Sequence, residues 1–293
     1  MFKGTDPDNP SQFLCSSDSS ISYFGRPIRM HGDTILAGAI DDAHAWYDSD
    51  SRGSSILGRK VHLYSKNGDI FGVENGTYYG GPKYKQTTLL DVDDTGDRYG
   101  FGWAFAVYGN DIAVSRIYKD TDSGGKGMIY IYKYANNEWG LQKDSSTRKQ
   151  NYTIQGTSDT NYCYGTEIEI HENTLVVGEY YASGAGAHNI YVYKRNSSSE
   201  QWTSTPLRKY SVTGDSTQRF NLTLTKNHLI IHGGELSPLG MLWALYREDD
   251  EDFPDVTLSS NTNYGITSPT SGTLWVSSDY GKYKKVKINN YGM

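Results

Sequence analysis

The sequence predicts an all-β fold built from five copies of one four-stranded antiparallel unit. Three observations predict it. A short pattern recurs five times along the 293 residues: an aromatic residue and glycine, alternating apolar residues, a tight polar turn and an apolar run. The 25 Tyr and 32 Gly are typical of strands and turns, and no apolar pattern of helical period continues beyond a turn or two. The segments also follow one another in the same order in each copy, which indicates a repeat architecture.

The first two strands of each copy form a predicted hairpin. Three copies open with an aromatic–glycine pair at Phe24, Phe101 and Tyr164; the fourth copy lacks this opening, and the fifth has Tyr264-Gly265 and a shorter hairpin. The apolar runs begin at Ile35, Ile112, Leu175, Leu229 and Leu274. Alternating apolar residues on both sides of a tight Gly-, Asn- or Asp-containing turn favour an antiparallel pair.

Two more strands complete the unit. Alternating third strands are predicted at 61–64, 129–132, 190–193, 242–246 and 286–288. Fourth strands are predicted at 87–90, 152–154, 208–212 and 256–258, and the fifth copy has none. Residues 11–15 precede the first copy as fourth strands precede the later ones. We therefore predict a five-bladed β-propeller of four-stranded antiparallel blades, in which the N-terminal strand closes the last blade and removes an open edge.

The chain is predicted to be a single β-propeller domain over residues 1–293. Proline is sparse and no low-complexity segment divides it. The predicted blades span approximately 18–92, 93–157, 158–214, 215–260, and 261–293 together with 11–17. The spacing between apolar runs shortens along the chain, so the first blade carries the largest insertions, at 40–59 and 67–85, where functional loops are expected.

Charge and apolar content exclude several classes of function. The net charge of −6 gives no basic surface for nucleic acid, and no 18-residue apolar stretch predicts membrane insertion. The N-terminus of this chain carries no signal-peptide pattern. Cys15 and Cys163 are too few for a disulfide framework and are expected to be free thiols.

The repeated pattern resembles the FG-GAP repeat, which builds the β-propeller of integrin alpha chains and of many bacterial, algal and viral surface proteins. The likeness rests on the aromatic–glycine pair, the Gly-Asp/Asn-Thr turn and the apolar run ending in glycine, as in Phe24-Gly25, Gly32-Asp33-Thr34 and Ile35–Gly38. It covers nearly the whole chain. The resemblance implies a propeller and a location in a surface-exposed assembly, either on a virion or outside the cell; the fold itself implies no one activity.

If the chain binds a metal ion, the loops are the expected place. The tight hairpins, such as His31-Gly32-Asp33, have too few oxygen ligands for the Ca²⁺ that some integrin blades bind. Two post-hairpin loops instead alternate carboxylates at Asp48 and Asp50 and at Asp120 and Asp122, which is a pattern that could hold Ca²⁺. Ordinary loop composition is the favoured explanation, so no cofactor is predicted and Ca²⁺ is the alternative. The acidic run that starts at Asp91 fits an EF-hand only in part and is better explained as a turn between blades.

Loop aromatics provide the main prediction of a binding surface. Exposed tyrosine and tryptophan commonly anchor protein partners and sugar faces. The candidates follow hairpins or lie in insertions, and loop packing is the alternative for all of them: Trp46, Tyr47, Tyr78, Tyr79, Tyr118, Tyr180 and Tyr181.

These observations predict a non-enzymatic structural or interaction protein that binds a protein partner in a surface assembly such as a virion, an appendage or an adhesive layer. The seven histidines show no metal-ligand spacing, and no nucleophile motif occurs. The alternative is a carbohydrate-binding, lectin-like propeller; a hydrolase with its site at the channel mouth is a third hypothesis.

Overall fold

The computed structural model describes residues 13–15, 24–39, 61–78, 81–91, 101–117, 127–143, 147–156, 162–181, 187–213, 220–233, 242–248, 251–255, 258–259, 272–278 and 282–288. All regular structure in these ranges is β-strand, which confirms the predicted all-β class. None of these residues belongs to a helix long and apolar enough to cross a membrane. The chain falls into two compact units, residues 1–120 with 128–154 and residues 121–127 with 155–293. Each is described by itself below.

The first unit contains two copies of the predicted four-stranded meander. Its strands are β1 (Phe13–Cys15), β2 (Phe24–His31), β3 (Thr34–Ala39), β4 (Val61–Asn67), β5 (Ile70–Phe71), β6 (Val73–Tyr78), β7 (Gly81–Lys85), β8 (Thr88–Leu90), β9 (Phe101–Tyr108), β10 (Asp111–Arg116), β11 (Met128–Ala135), β12 (Glu138–Trp139), β13 (Leu141–Gln142), β14 (Thr147–Lys149) and β15 (Tyr152–Gln155). Repeat 1 is β2-β3-β4-β8 and is antiparallel throughout. Repeat 2 is β9-β10-β11-β15, in which β9, β10 and β11 are antiparallel and β15 pairs with β11.

The second unit contains a third complete copy and two shorter ones. Its strands are β16 (Tyr162–His171), β17 (Thr174–Tyr181), β18 (Ala187–Lys194), β19 (Arg208–Thr213), β20 (Phe220–Leu224), β21 (His228–Gly233), β22 (Leu242–Tyr246), β23 (Leu258–Ser259), β24 (Gly272–Ser278) and β25 (Lys282–Ile288). Repeat 3 is β16-β17-β18-β19, repeat 4 is β20-β21-β22 and repeat 5 is the hairpin β24-β25. The two units meet in sequence at residue 155, close to the predicted border of the second and third blades.

The aromatic–glycine pair that opens a repeat forms a β-bulge. In repeats 1, 2 and 3 the pairing of the first two strands shifts register beside this pair. Gly102 and Gly165 have φ of +77° and +93°, a conformation that favours glycine. In repeat 2 the buried Ser115 stabilises the bulge, because its Oγ accepts a hydrogen bond from the Ala104 N–H (2.9 Å) and donates one to the Ala104 carbonyl (3.2 Å).

Two strands have partners other than those the sequence predicts. β1 runs parallel to β7, with Leu14 opposite Tyr84, so the prediction that this segment closes the last blade is wrong. The predicted fourth strand of repeat 4 is also wrong in its pairing, because β23 runs parallel to β19. The physical reason in both cases is that the edge of a neighbouring sheet offers backbone groups that an extended segment can satisfy.

Parallel strands cover the outer edge of a repeat in both units. In the first unit β14 lies beside β8, and the Asp91 N–H donates to the Arg148 carbonyl at 2.8 Å. In the second unit β23 lies beside β19, and the Tyr210 hydroxyl donates to the Pro254 carbonyl at 2.7 Å. A segment that belongs in sequence to the next repeat therefore protects each of these edges.

Each unit has an apolar core between two successive repeats. In the first, Phe105 and Val107 of β9 share a core with Leu36 of β3 and Leu63 of β4. In the second, Leu222 and Leu224 of β20 share a core with side chains of β17 and β18, including Val176 and Val192. The first strand of a later repeat thus packs on the second and third strands of the repeat before it.

The first strand of repeat 1 differs from its counterparts. Ile28 and Met30 pair with Ala37 and Ile35, in the same register in which Phe105 and Val107 pair with their neighbours in repeat 2. They are nevertheless 56% and 48% exposed, whereas Phe105 is fully buried. β2 therefore presents uncovered apolar side chains at positions that form the core in later repeats.

An aromatic residue after the third strand is buried in each of the first four repeats. These residues are Phe71, Trp139, Trp202 and Phe253. Arg195 and Arg247 lie over Trp202 and Phe253, and Tyr134 contacts Trp139. In repeats 2, 3 and 4 the aromatic side chain is therefore contacted by a residue within one position of the end of the third strand.

Candidate functional site

Most of the predicted site residues lie outside the described part of the chain. This holds for Trp46, Tyr47, Tyr79 and Tyr118 and for the four carboxylates Asp48, Asp50, Asp120 and Asp122. Tyr78 lies in β6 and Tyr181 at the end of β17, with only their backbone described. Tyr180 is the one predicted site residue whose side chain the structure describes. Tyr180 was expected in a loop, but it lies in strand β17, one residue before the strand ends.

Tyr180 belongs to an aromatic stack at the end of repeat 3. Its ring lies face to face with the imidazole of His188, with centroids 4.8 Å apart and planes 12° apart. Phe220 of β20 contacts His188 in an edge-on arrangement, with centroids 5.9 Å apart. Tyr180 is half-buried and His188 is buried, so the Tyr180 side chain keeps partial exposure while its ring packs on a buried one. We call Tyr180, His188 and Phe220 the aromatic stack.

Burial determines the charge state of the imidazole in this stack. It lowers the pKa of His188 below the ordinary value of 6.5, because the charged ring would lose its hydration. His188 is therefore neutral at pH 7, and the stack presents an uncharged aromatic surface.

A buried carboxylate lies on the opposite face of the repeat 3 sheet, one residue before Tyr180 in β17. Glu179 is fully buried, and one of its oxygens accepts hydrogen bonds from Asn189 Nδ2 and from the Tyr191 hydroxyl, both at 2.7 Å. Ser211 Oγ donates to Asn189 Oδ1 at 2.8 Å. Glu179, Asn189 and Ser211 lie directly opposite one another on β17, β18 and β19. The three strands are thus joined by side chains where the aromatic stack begins.

A pair of tyrosines continues this buried polar face. The hydroxyls of Tyr164 and Tyr193 lie 2.7 Å apart, and the Tyr164 ring meets Tyr191 edge-on at 5.6 Å. Burial, followed by the neighbouring Tyr193 and Glu179, raises the pKa of Tyr164 well above 10. Burial is also the main cause that raises the pKa of Tyr193, to about 12. Both hydroxyls are therefore protonated at neutral pH and act as hydrogen-bond partners.

Tyr164 lies against two glycines. A Cβ at Gly156 would lie 2.7 Å from the ring, and a Cβ at Gly127 would overlap the Tyr164 carbonyl. The Gly156 N–H donates to the Gly127 carbonyl at 3.0 Å. Any residue larger than glycine at position 127 or 156 would therefore clash with Tyr164, the aromatic residue that opens repeat 3.

Nothing described so far forms a metal site. No group of three or more His, Cys, Asp or Glu side chains that could hold a metal occurs among the described residues. Asp91, which opens the EF-hand-like run, is buried and forms an ion pair with Lys143 at 3.2 Å. This carboxylate is engaged by an ammonium group, and the rest of the acidic run lies outside the described residues.

Known proteins provide no assignment for this site. No family model matches the chain. A search of the curated proteins finds no significant match either. The resemblance to the FG-GAP repeat therefore stays a prediction.

Sequence reasoning missed the buried partners of the stack. Glu179 and Asn189 are spaced like ordinary polar residues near a loop, and no sequence signal separates them from exposed ones. Their alignment follows from the strand register, which a single sequence does not specify. A signal for His188 was available, since it precedes Ile190 and Val192 by two and four residues and therefore shares their face of β18.

Proposed function

We propose that this chain is a non-enzymatic interaction protein whose repeats present aromatic side chains to a protein partner in a surface assembly. The observation that carries the proposal is the aromatic stack. Tyr180 is held between solvent and His188, so its ring loses little conformational freedom when a partner covers it. Rigid, half-exposed tyrosines of this kind are frequent anchors of protein interfaces.

The remaining loop aromatics extend the proposed surface. Tyr181 adjoins Tyr180 in sequence, and Trp46, Tyr47, Tyr78, Tyr79 and Tyr118 are proposed to contribute from the first two repeats. A partner that covers several of these residues would gain most of its affinity from a few of them. The same aromatic side chains could stack on sugar rings, so glycan binding is the alternative that the experiment must separate.

We further propose that the five repeats are the blades of one propeller. Support comes from the first strand of repeat 1. Ile28 and Met30 are exposed, whereas Phe105 and Val107 at the same register positions are buried by the preceding repeat. A ring gives repeat 1 a preceding neighbour, which would remove this apolar surface from water.

The propeller proposal is tested with charged substitutions on β2. In a ring, Ile28→Asp or Met30→Asp would lower the free energy of unfolding by about 2–4 kcal/mol, because a charge would be buried among apolar groups. Val73→Asp is the control, since Val73 is 47% exposed. Equal, small effects of about 0.5 kcal/mol at all three positions would reject the ring.

The partner proposal is tested on the native assembly. Cross-linking followed by mass spectrometry should join the region around Tyr180 to a second protein. Tyr180→Ala should weaken that complex about tenfold or more. Tyr134→Ala is the matched control, because Tyr134 is an exposed tyrosine packed on Trp139 at 5.1 Å. Binding to a glycan array that is lost in Tyr180→Ala, without any protein cross-link, would favour the lectin-like alternative.

A further inference from the structure

Strand β1 contacts repeat 1 through its backbone and through one side chain. Phe13–Cys15 runs parallel to β7, with Leu14 opposite the buried Tyr84. The half-buried Leu14 side chain also packs on an apolar cluster of β3, β4 and β5. This cluster consists of Ile35, Ala37, Tyr64 and Phe71. We call the edge of β7 together with this cluster the β1 site.

Repeat 2 contains a strand equivalent to β7. A Cβ at Gly72 would lie 2.5 Å from the carbonyl oxygen of Lys85, the last residue of β7. A Cβ at Gly140 would lie 2.5 Å from the carbonyl oxygen of Lys149, the last residue of β14. Both glycines have positive φ and both follow a buried aromatic residue. Strands β7 and β14 therefore occupy the same position in their repeats.

At this position a parallel contact joins β-structures that are separate in sequence. In repeat 2, β14 runs parallel to β8, the outer strand of repeat 1. In repeat 1, the equivalent strand β7 runs parallel to β1, which precedes all five repeats in the chain. The β1 site therefore binds a strand from outside the repeats in the way that β14 binds a strand of another repeat.

The contacts of β1 are the same whichever copy of the chain supplies the strand. β1 and β7 are far apart in sequence, and residues 16–23 link β1 to β2. A link of this length allows the Cα atoms of Cys15 and Phe24 to be separated by up to about 30 Å. This distance is enough for β1 to reach the β1 site of an adjacent copy. Exchange of an identical element between copies is a low-cost route to association.

We propose that copies of this chain associate by exchanging β1, so that the β1 site of one copy binds Phe13–Cys15 of a second copy. The exchange concerns association between copies and does not depend on the proposed binding surface at Tyr180. The strand has three residues and one described side-chain contact, so the association is reversible and increases with protein concentration.

Disulfide trapping tests the exchange directly, because Cys15 lies opposite Lys85 in the pairing of β1 with β7. A ¹⁵N-labelled full chain carrying Lys85→Cys and Cys15→Ser is mixed with the unlabelled, unmodified chain and oxidised with glutathione disulfide. Mass spectrometry should find a disulfide between an unlabelled peptide containing Cys15 and a labelled peptide containing position 85. Such a bond forms only where the two Cα atoms come within about 7 Å.

The matched control carries Lys209→Cys with Cys15→Ser. Lys209 is exposed and lies on β19, a strand that already pairs on both sides. After the same mixing and oxidation, this variant should give at least about tenfold less of the mixed disulfide, because its new thiol is not aligned with Cys15.

Light scattering under reducing conditions provides the second measurement. The unmodified chain should form dimers as its concentration rises, and an excess of a peptide of residues 9–19 should return it to monomers. The same peptide with Leu14→Asp should have no effect, because a carboxylate would face the apolar cluster. In the full chain, Leu14→Asp should weaken the dimer about tenfold or more, whereas Leu207→Asp, at an exposed leucine, should not. Circular dichroism establishes that both variants are folded.

Three results would overturn the inference. One is a disulfide between Cys15 and position 85 that stays within a single chain at every concentration in the variant Lys85→Cys. Another is the absence of any disulfide between these positions, within or between chains. The third is a dimer that persists in excess peptide and in Leu14→Asp, which would assign the association to another surface. Tyr180→Ala should leave the exchange intact, so failure of the proposed function and failure of this inference are distinguishable.

Discussion

The guanidinium of Arg195 lies over the indole ring of Trp202, with its central carbon 3.9 Å from the ring centroid. The same arginine donates through Nε to Asn173 Oδ1 at 3.2 Å, and Trp202 Nε1 donates to the Asn173 carbonyl, also at 3.2 Å. The hairpin that joins the first two strands of repeat 3 is thereby tied to the segment after its third strand. Arg247 over Phe253 at 4.6 Å is the counterpart in repeat 4.

This relationship predicts a large cost for shortening either side chain. Trp202→Ala should lower the free energy of unfolding by about 3–5 kcal/mol, because a nearly fully buried ring is removed. Arg195→Ala should lower it by about 1–3 kcal/mol, through the lost stacking and the lost hydrogen bonds. Urea denaturation measures both. The control is Arg29→Ala on β2, which should change stability by less than about 0.5 kcal/mol; an equal loss there would contradict the prediction.

A pair of glycines with positive φ should respond differently to alanine. Gly140 has φ of +64°, and a Cβ there would lie 2.5 Å from the Lys149 carbonyl oxygen. Gly109 has φ of +56° but no neighbour within 4 Å of such a Cβ. Gly109→Ala should therefore cost about 1–2 kcal/mol from backbone strain alone. Gly140→Ala should cost at least about 3 kcal/mol, because overlap adds to the strain. Thermal unfolding of the two variants distinguishes them, and equal losses would show that the backbone at Gly140 can move.

Stability should fall at alkaline pH because of the tyrosine pair. The pKa of Tyr193 is raised to about 12 and that of Tyr164 lies well above 10, whereas both are near 10 in the unfolded chain. Above pH 10 the unfolded chain has released protons that the folded chain retains, so the stabilising contribution is present below pH 10 and is lost as pH rises towards 12. Urea unfolding between pH 9 and 11 should show a shallower decline in Tyr193→Phe than in the unmodified chain. Identical slopes would contradict this assignment.

Acid should destabilise the aromatic stack. The pKa of His188 is lowered from 6.5, so the unfolded chain takes up a proton there before the folded chain does. The contribution of the neutral imidazole is therefore present above pH 6.5 and is lost as pH falls below it. His188→Gln should reduce the dependence of unfolding free energy on pH between 6.5 and 5, measured by urea titration. His228→Gln removes an imidazole elsewhere and should leave the pH dependence of the unfolding free energy unchanged. If His228→Gln reduced that dependence and His188→Gln did not, His188 would be excluded as its source.

The strands were more predictable than their outer partners. Alternation and the tight turns located the hairpins and third strands of the first four repeats, since a half-buried strand requires alternating side chains. Alternation carries no information about which edge a short segment joins. Phe13–Cys15 and Leu258–Ser259 are strands near the predicted places, but each runs parallel to a strand that sequence reasoning did not assign to it as a partner.

The candidate site was less predictable than the fold. Tyr180 was found because aromatic residues near loops are frequent in interfaces, yet its support by His188 depends on a pairing between two strands. Glu179 shows the limit most clearly. Burial of its carboxylate is acceptable only because Asn189 and Tyr191 donate to it, and those donors are aligned by strand register.

The amino-acid sequence by itself determined the all-β class and the repeated hairpins, because these depend on local alternation and on tight polar turns. Only the tertiary structure decided which aromatic residue is a supported surface side chain, which carboxylate is buried and which strand edge is covered. Those properties depend on distances between residues far apart in the chain. A pattern within one strand specifies the faces of that strand, whereas its neighbours are chosen by the sheets that assemble around it.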